Sequence, residues 1–324
     1  MDEQPATAVE GSASPAEARV WRAVPAPVRQ ALETGLPPTD LQTLLMTVAR
    51  ARARKVTAAR VMQRWSQDRF VRPSSCDPRR LARLEARLWD LLPDRFAGVE
   101  LSPVAPLGTC SALAPVDQHR IVSTVRGTEM LSDPTNALAI EAATRRREQG
   151  VQGRVDLAAC HRVVRAQTFA PGNAAHFRLF ALVSSVRDRG SGRIQAELLI
   201  DHISFWQQAL AELLPGAATR ITVTVFGHQV LAERLRDTIQ PAVSAGPRPV
   251  VEDPARSHGA GYYSGAAIGL RADADGRTVD VGDGGLTTWT AQLLGDAKEC
   301  CLVSCAATER LTALARPLWL DTSR

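Results

Sequence analysis

VDLAACHRVVRAQTFAPGNAAHFRLFALVSSVR, residues 155–187, decides the fold class. Two β-like runs, 155–168 and 178–187, flank the turn-rich Phe169-Ala170-Pro171-Gly172-Asn173. So short a link predicts a long antiparallel hairpin, because a parallel βαβ unit needs a crossover of about a dozen residues or more. Further strand-like runs lie at 220–227, where Ile221, Val223 and Val225 alternate, at 266–272 and at 300–305. Helical patterns fall between them, at 135–148, 200–214, 229–239 and 306–315. The expected fold is α+β, an antiparallel sheet flanked by helices.

Upstream of this domain, placed at 97–324, the texture is different. Residues 1–20 are rich in Ala, Glu, Ser and Pro and read as a disordered tail. Residues 21–96 read as a basic helical module. Thr39-Asp40-Leu41-Gln42 is a capping-box candidate ahead of Leu41, Leu44, Leu45 and Val48 at helical spacing. A second helix carries Val61, Met62 and Trp65; a third opens with Asp77 as cap and Pro78 in its first turn. Arginines crowd this module, from Arg50, Arg52 and Arg54 to Arg83 and Arg87, and are compatible either with RNA phosphates or with a solvated surface.

Composition narrows the class. The 324 residues carry a formal charge of +5, 45% hydrophobic and 23% charged residues, the profile of a globular protein. No apolar run approaches the roughly 20 residues that span a bilayer, so no membrane partner is expected. The start, Met1-Asp2-Glu3-Gln4-Pro5, is unlike a secretory signal, and a cytoplasmic location is expected. Six cysteines without C-x-x-C spacing are read as free thiols, and no metal ligand is assigned to them. His119, His161, His202 and His228 are scattered and read as structural.

Several catalytic signatures fail. His258-Gly259-Ala260-Gly261 leads into a strand, whereas a dinucleotide fingerprint follows a strand and opens a helix. There is no G-x-S-x-G elbow, Walker loop or H-E-x-x-H. The hairpin is more informative: Arg165 at the end of its first run suits a phosphate, and an aromatic ring opposite suits a purine. Arg310, in Thr308-Glu309-Arg310-Leu311 at a helix start, is a second arginine at an anion-friendly terminus.

Four stretches in order resemble the catalytic domain of class II aminoacyl-tRNA synthetases, on the histidyl-tRNA synthetase branch. Arg165-Ala166-Gln167 resembles the motif 2 R-x-E, and His176 through Phe180 its R/H-x-x-x-F continuation. Cys305-Ala306-Ala307-Thr308-Glu309-Arg310-Leu311 resembles motif 3, and Gly259 through Gly265 the branch's R-G-L-D-Y-Y-T-G. The resemblance implies ATP-dependent adenylation of an amino acid or other small carboxylate, with possible use of Mg²⁺. By it Arg165 grips the α-phosphate, Phe180 stacks on adenine and Arg310 meets the outer phosphates, with Gln167, His176 and Glu309 completing the nucleotide site. Asp133, Thr135, His258, Tyr262, Tyr263 and Asp283 are the implied substrate-pocket residues. A homodimer is implied, as is an acceptor: a tRNA, a carrier protein or a small amine.

The departures bear on activity. Gln167 replaces the family's Glu, removing a carboxylate that would help hold Mg²⁺. His258 stands at the arginine of R-G-L-D-Y-Y, Gly261 at its aspartate, and Ala307 at a motif 3 glycine. Leu182 offers no polar group for a histidine substrate. Asp280 and Asp283 are open to a cation or amine, or to forming turns beside glycines. Of Tyr262 and Tyr263, strand alternation leaves one for the core. Thr135 is a candidate helix cap, with Asp133 facing the pocket. Only residues 316–324 follow the helical pattern at 306–315, so no anticodon-binding domain is expected after motif 3. A non-catalytic paralogue, similar to the regulatory subunit of ATP phosphoribosyltransferase, is the alternative function.

Overall fold

The computed structural model of the chain describes residues 14–150, 153–168, 175–274 and 276–315. The described residues form ten strands: β1 (Phe96–Gly98), β2 (Val104–Pro106), β3 (Thr128–Met130), β4 (Val155–Val164), β5 (His176–Arg187), β6 (Ala218–Val225), β7 (Val250–Glu252), β8 (Ala266–Ala274), β9 (Arg277–Thr287) and β10 (Glu299–Ala307). Eight form one sheet in the order β1-β4-β5-β10-β9-β8-β6-β7, and β2 pairs with β3 apart from it. The six central strands are antiparallel to their neighbours, and only the short edge strands β1 and β7 add in parallel. The expected α+β fold and the β4–β5 hairpin are present. The connection at 169–173 lies outside the described residues.

Strand alternation splits β4 and β5 between two cores. Ala158, Phe180 and Leu182 face the long helix Arg193–Leu213 and pack with Phe205, Trp206 and Leu210. Leu157, Ala159, Val163, Leu179, Ala181 and Val183 face the helix Pro134–Gln149 and pack with Leu138, Ala139 and Trp289. Each large side chain fully buried this way contributes roughly 1.5–3 kcal/mol.

One element departs from expectation. Val281-Gly282-Asp283-Gly284-Gly285-Leu286 is part of β9, between β10 and β8, and forms no turn. Its glycines serve close approach: a Cβ on Gly282 would overlap the Cys305 carbonyl, and one on Gly285 would sit 2.6 Å from the Tyr263 ring. Asp280 and Asp283 are therefore strand residues with fixed directions.

The N-terminal helices divide into two kinds. Pro15–Ala23, Pro38–Ala53 and Ala58–Gln67 bury no residue, and Leu44, Val48, Val61, Met62 and Trp65 are exposed. The tail read as disordered over 1–20 is helical from Pro15; its residues 1–13 lie outside the described residues. The capping box is not made, because Pro37 and Pro38 open the helix and leave Thr39 inside its first turn. Pro78–Leu91, by contrast, begins as read: the Asp77 carboxylate accepts from the Arg79 and Arg80 amides. Leu84 and Leu88 then enter the core beside Phe180. Packing thus ties this helix, inside the 21–96 stretch, to the sheet. Among the described residues no helix is long and apolar enough to cross a membrane.

Candidate functional site

A cavity of about 770 Å³ opens on the sheet face that carries the helix Pro134–Gln149. β5, β8 and β9, with the residues that follow β4 and β10, bring to it Arg165, Gln167, Phe177, Arg271, Asp283 and Glu309. Arg69, Arg72, Arg256 and Arg310 face it too, so its described lining holds six arginines against the carboxylates of Asp280, Asp283 and Glu309. That balance is a strong anion field in a partly desolvated space.

Arg165 extends from the end of β4, whose last register is set by its own amide bonding the Ala175 carbonyl at 2.8 Å. Its Nε donates to the Ser132 carbonyl (2.9 Å), and its guanidinium lies 3.6 Å from Asp133 and 5.1 Å from the Phe177 ring centre. Burial works against its charge, and Asp133 leads the acidic groups that more than offset this. Asp133 is itself the cap of Pro134–Gln149, accepting from the Thr135 amide (2.9 Å) and hydroxyl (2.6 Å). The capping role read for Thr135 therefore belongs to Asp133, and Thr135 is buried behind it.

Phe180 is not an adenine platform. It is fully buried between Trp89, Phe205 and Trp206, with ring centres 4.8–6.4 Å away. The aromatic ring in the cavity is Phe177, which strand alternation puts on the opposite face. His176, also facing away from Phe177, bonds Arg162 through Nδ1 (2.8 Å) and the Arg72 carbonyl through Nε2 (2.6 Å). Glu309 lines the cavity but pairs with Arg162 at 2.5 Å, and Arg310 bonds the Asp280 carbonyl.

Sequence reasoning missed Arg256. His258, taken to stand at the motif arginine, lines the cavity, but so does Arg256, two residues earlier. Only 6% exposed, it donates to the carbonyls of His258 (3.1 Å) and Ile268 (3.0 Å) and pairs with Asp283 at 3.3 Å. The signal was present as an arginine just ahead of the glycine-tyrosine run, displaced by two residues from the motif spacing. Asp283 opens onto the cavity; burial raises its pKa, with Arg256 opposing that. Arg271, paired with Asp280, is held below the usual arginine range by burial and by Arg256.

Tyr262 and Tyr263 follow Gly259 in a turn, not a strand. Tyr263 is buried beneath Arg256, and Tyr262 is half-buried against Trp289 at 5.6 Å. Burial first, and then nearby carboxylates, raise both phenols well above their ordinary range.

The donor set fits a polyphosphate better than a protein-held Mg²⁺. Asp280 meets Arg271, Asp283 meets Arg256 and Glu309 meets Arg162, so each lining carboxylate is already committed to an arginine. Among the described residues no three His, Cys, Asp or Glu side chains converge as a metal site.

No protein-family model matches the chain, and no curated protein does. Solved structures do. Apo histidyl-tRNA synthetase from S. aureus superposes with a TM-score of 0.57 at 14% identity, over 74% of this chain and 68% of that one. A histidine–tRNA ligase subunit from Alicyclobacillus acidocaldarius gives 0.54 at 14%, over 75% and 96%. An ATP phosphoribosyltransferase regulatory subunit/histidyl-tRNA synthetase from Bacillus halodurans gives 0.51 at 12%, over 73% and 78%. The fold is therefore class II synthetase-like, similar to the histidyl branch, as the motifs led one to expect.

Proposed function

We propose that the cavity binds ATP and that the chain adenylates an amino acid or another small carboxylate for transfer to an acceptor. The observation that carries this reading is the convergence of Arg165, Arg256, Arg271 and Arg310 on one cavity beside the Phe177 ring. Six arginines against three lining carboxylates leave the cavity a net positive field, which a triphosphate complements. When bound, ATP offers an electrophilic α-phosphorus and a pyrophosphate leaving group. Arg165 and Arg256, held by carbonyl and carboxylate partners, stabilise negative charge without reorganising as it develops. Phe177 presents a flat apolar surface to a base. Of the implied substrate residues, Asp283 lines the cavity and offers an ammonium group a carboxylate, while Asp133 lies near Arg165 off the lining.

Isothermal calorimetry with ATP, and ATP–pyrophosphate exchange over a panel of amino acids and small carboxylates, test the reading. Micromolar-to-millimolar ATP binding and exchange with at least one carboxylate are expected. ATP binding without exchange for any acid would favour the second reading, a non-catalytic regulatory paralogue. A specific observation supports that alternative: Gln167 and the three arginine-paired carboxylates leave little to position Mg²⁺. The acceptor, whether tRNA, carrier protein or small amine, and the homodimer belong to this proposal.

A further inference from the structure

The segment Asp68–Cys76 links the exposed helix Ala58–Gln67 to the packed helix Pro78–Leu91. It contributes Arg69, Arg72, Pro73, Ser74 and Ser75 to the cavity wall. Its attachments are polar and specific. The two terminal nitrogens of Arg69 donate to the carbonyls of Ala166 and Gln167, at the end of the first motif 2 strand. Ser74 donates to Glu309 at 2.9 Å, on the carboxylate whose other oxygen takes Arg162. Arg162 can only donate to His176 Nδ1, so His176 Nε2–H donates to the Arg72 carbonyl at 2.6 Å. Three residues that the motif reading gives to the nucleotide, Gln167, His176 and Glu309, thus also hold this segment.

We propose that Asp68–Cys76 is a permanent wall of the ligand site, with Arg69 positioning the end of β4 and Arg72 adding charge for an anionic ligand. This rests on the ATP-binding reading above. The segment is a wall and not a plug: with it in place the cavity keeps about 770 Å³, and Arg165, Arg256, Arg271 and Arg310 still face the space. The fork of Arg69 spans two successive carbonyls, a geometry that a lysine ammonium does not reproduce. The ligand site then extends beyond the synthetase-like sheet, into sequence that precedes it.

The test uses the full chain, with ATP and inorganic pyrophosphate as probes, and compares wild type with Arg69→Ala, Arg69→Lys, Arg72→Ala and the distant Arg50→Ala. Arg69→Ala should weaken ATP binding by about 10-fold. It should also speed amide exchange at residues 165–168 and leave the melting temperature unchanged. Arg69→Lys should recover only part of the affinity. Arg72→Ala should weaken both probes and make their binding less salt-dependent, while Arg50→Ala matches wild type. Unchanged exchange in Arg69→Ala, or affinities within twofold for both alanine variants, would overturn the wall while leaving ATP binding intact. If wild type binds pyrophosphate but not ATP, the adenylation reading falls and the wall is judged on pyrophosphate. Binding of neither probe overturns both.

Discussion

Arg165 and Arg256 both reach the same cavity, but the protein holds them differently, and their substitutions should separate. Arg165 is 29% exposed, with one carbonyl bond and a 3.6 Å approach to Asp133. Arg165→Ala should lower pyrophosphate exchange by roughly 10- to 150-fold, the equivalent of about 1.5–3 kcal/mol, and cost about 1 kcal/mol of stability. Arg256→Ala takes a buried donor from two carbonyls and leaves Asp283 to the open cavity, so unfolding by urea should show a loss of about 1–3 kcal/mol. The phenylalanines form a second contrast. Phe177→Ala should weaken ATP at nearly constant melting temperature. Phe180→Ala leaves a void between Trp89 and Trp206 and should cost about 3–5 kcal/mol. Calorimetry and thermal unfolding on the pair check this; a stable Phe180→Ala with lost ATP affinity would restore Phe180 to the site.

At the scale of elements, a buried polar chain joins three central strands to the helix Arg193–Leu213. Trp206 Nε1 donates to Ser304 Oγ (2.8 Å), which faces His202 Nδ1 (2.8 Å); His202 Nε2 meets Ser184 Oγ (2.9 Å), and Ser184 donates to Asp156. Read in that direction, every hydroxyl has a donor and an acceptor, and His202 is the neutral tautomer with its proton on Nε2. Burial, reinforced by Arg154 and Arg95, lowers the His202 pKa to about 3. The unfolded imidazole protonates first as pH falls through about 6.5, so the chain's contribution is complete above that pH and is lost toward about 3. Urea unfolding should show wild type losing roughly 2 kcal/mol more than His202→Gln between pH 6.5 and 5. Equal losses would mean that this imidazole does not set the acid limit.

For the whole molecule, the sheet is complete within one chain, and the helices between Pro15 and Gln67 stand outside its cores. The segment between Phe96 and the β4–β5 hairpin, with its small β2–β3 sheet, is the region that the family resemblance assigns to a two-fold interface. Light scattering at micromolar concentration should therefore give the mass of a homodimer, twice the chain's 34.9 kDa. A monomer at that concentration would remove the dimer from the proposal while leaving the site in each chain unaffected.

Local order was legible because it is written at short range. Alternating runs around a turn predict the hairpin, Asp77-Pro78 predicts a helix start, and the motif spacing puts Arg165 and Arg310 at one cavity. What tertiary structure alone decided is which face of each strand meets the cavity. Helix Arg193–Leu213 covers the side bearing Phe180, so its ring is core and Phe177 takes the open side. β9 is missing from the predicted strands, and a turn stayed open for Asp280 and Asp283, because a glycine placed for close strand approach looks, in one dimension, like a glycine placed for a bend. Asp68–Cys76 reaches the site from a segment near it only in space, and Arg256 from a position two residues off the motif spacing. The sequence alone determined the antiparallel fold through period and turn chemistry; the composition of the site waited on which distant segments the packed sheet could bring beside Arg165.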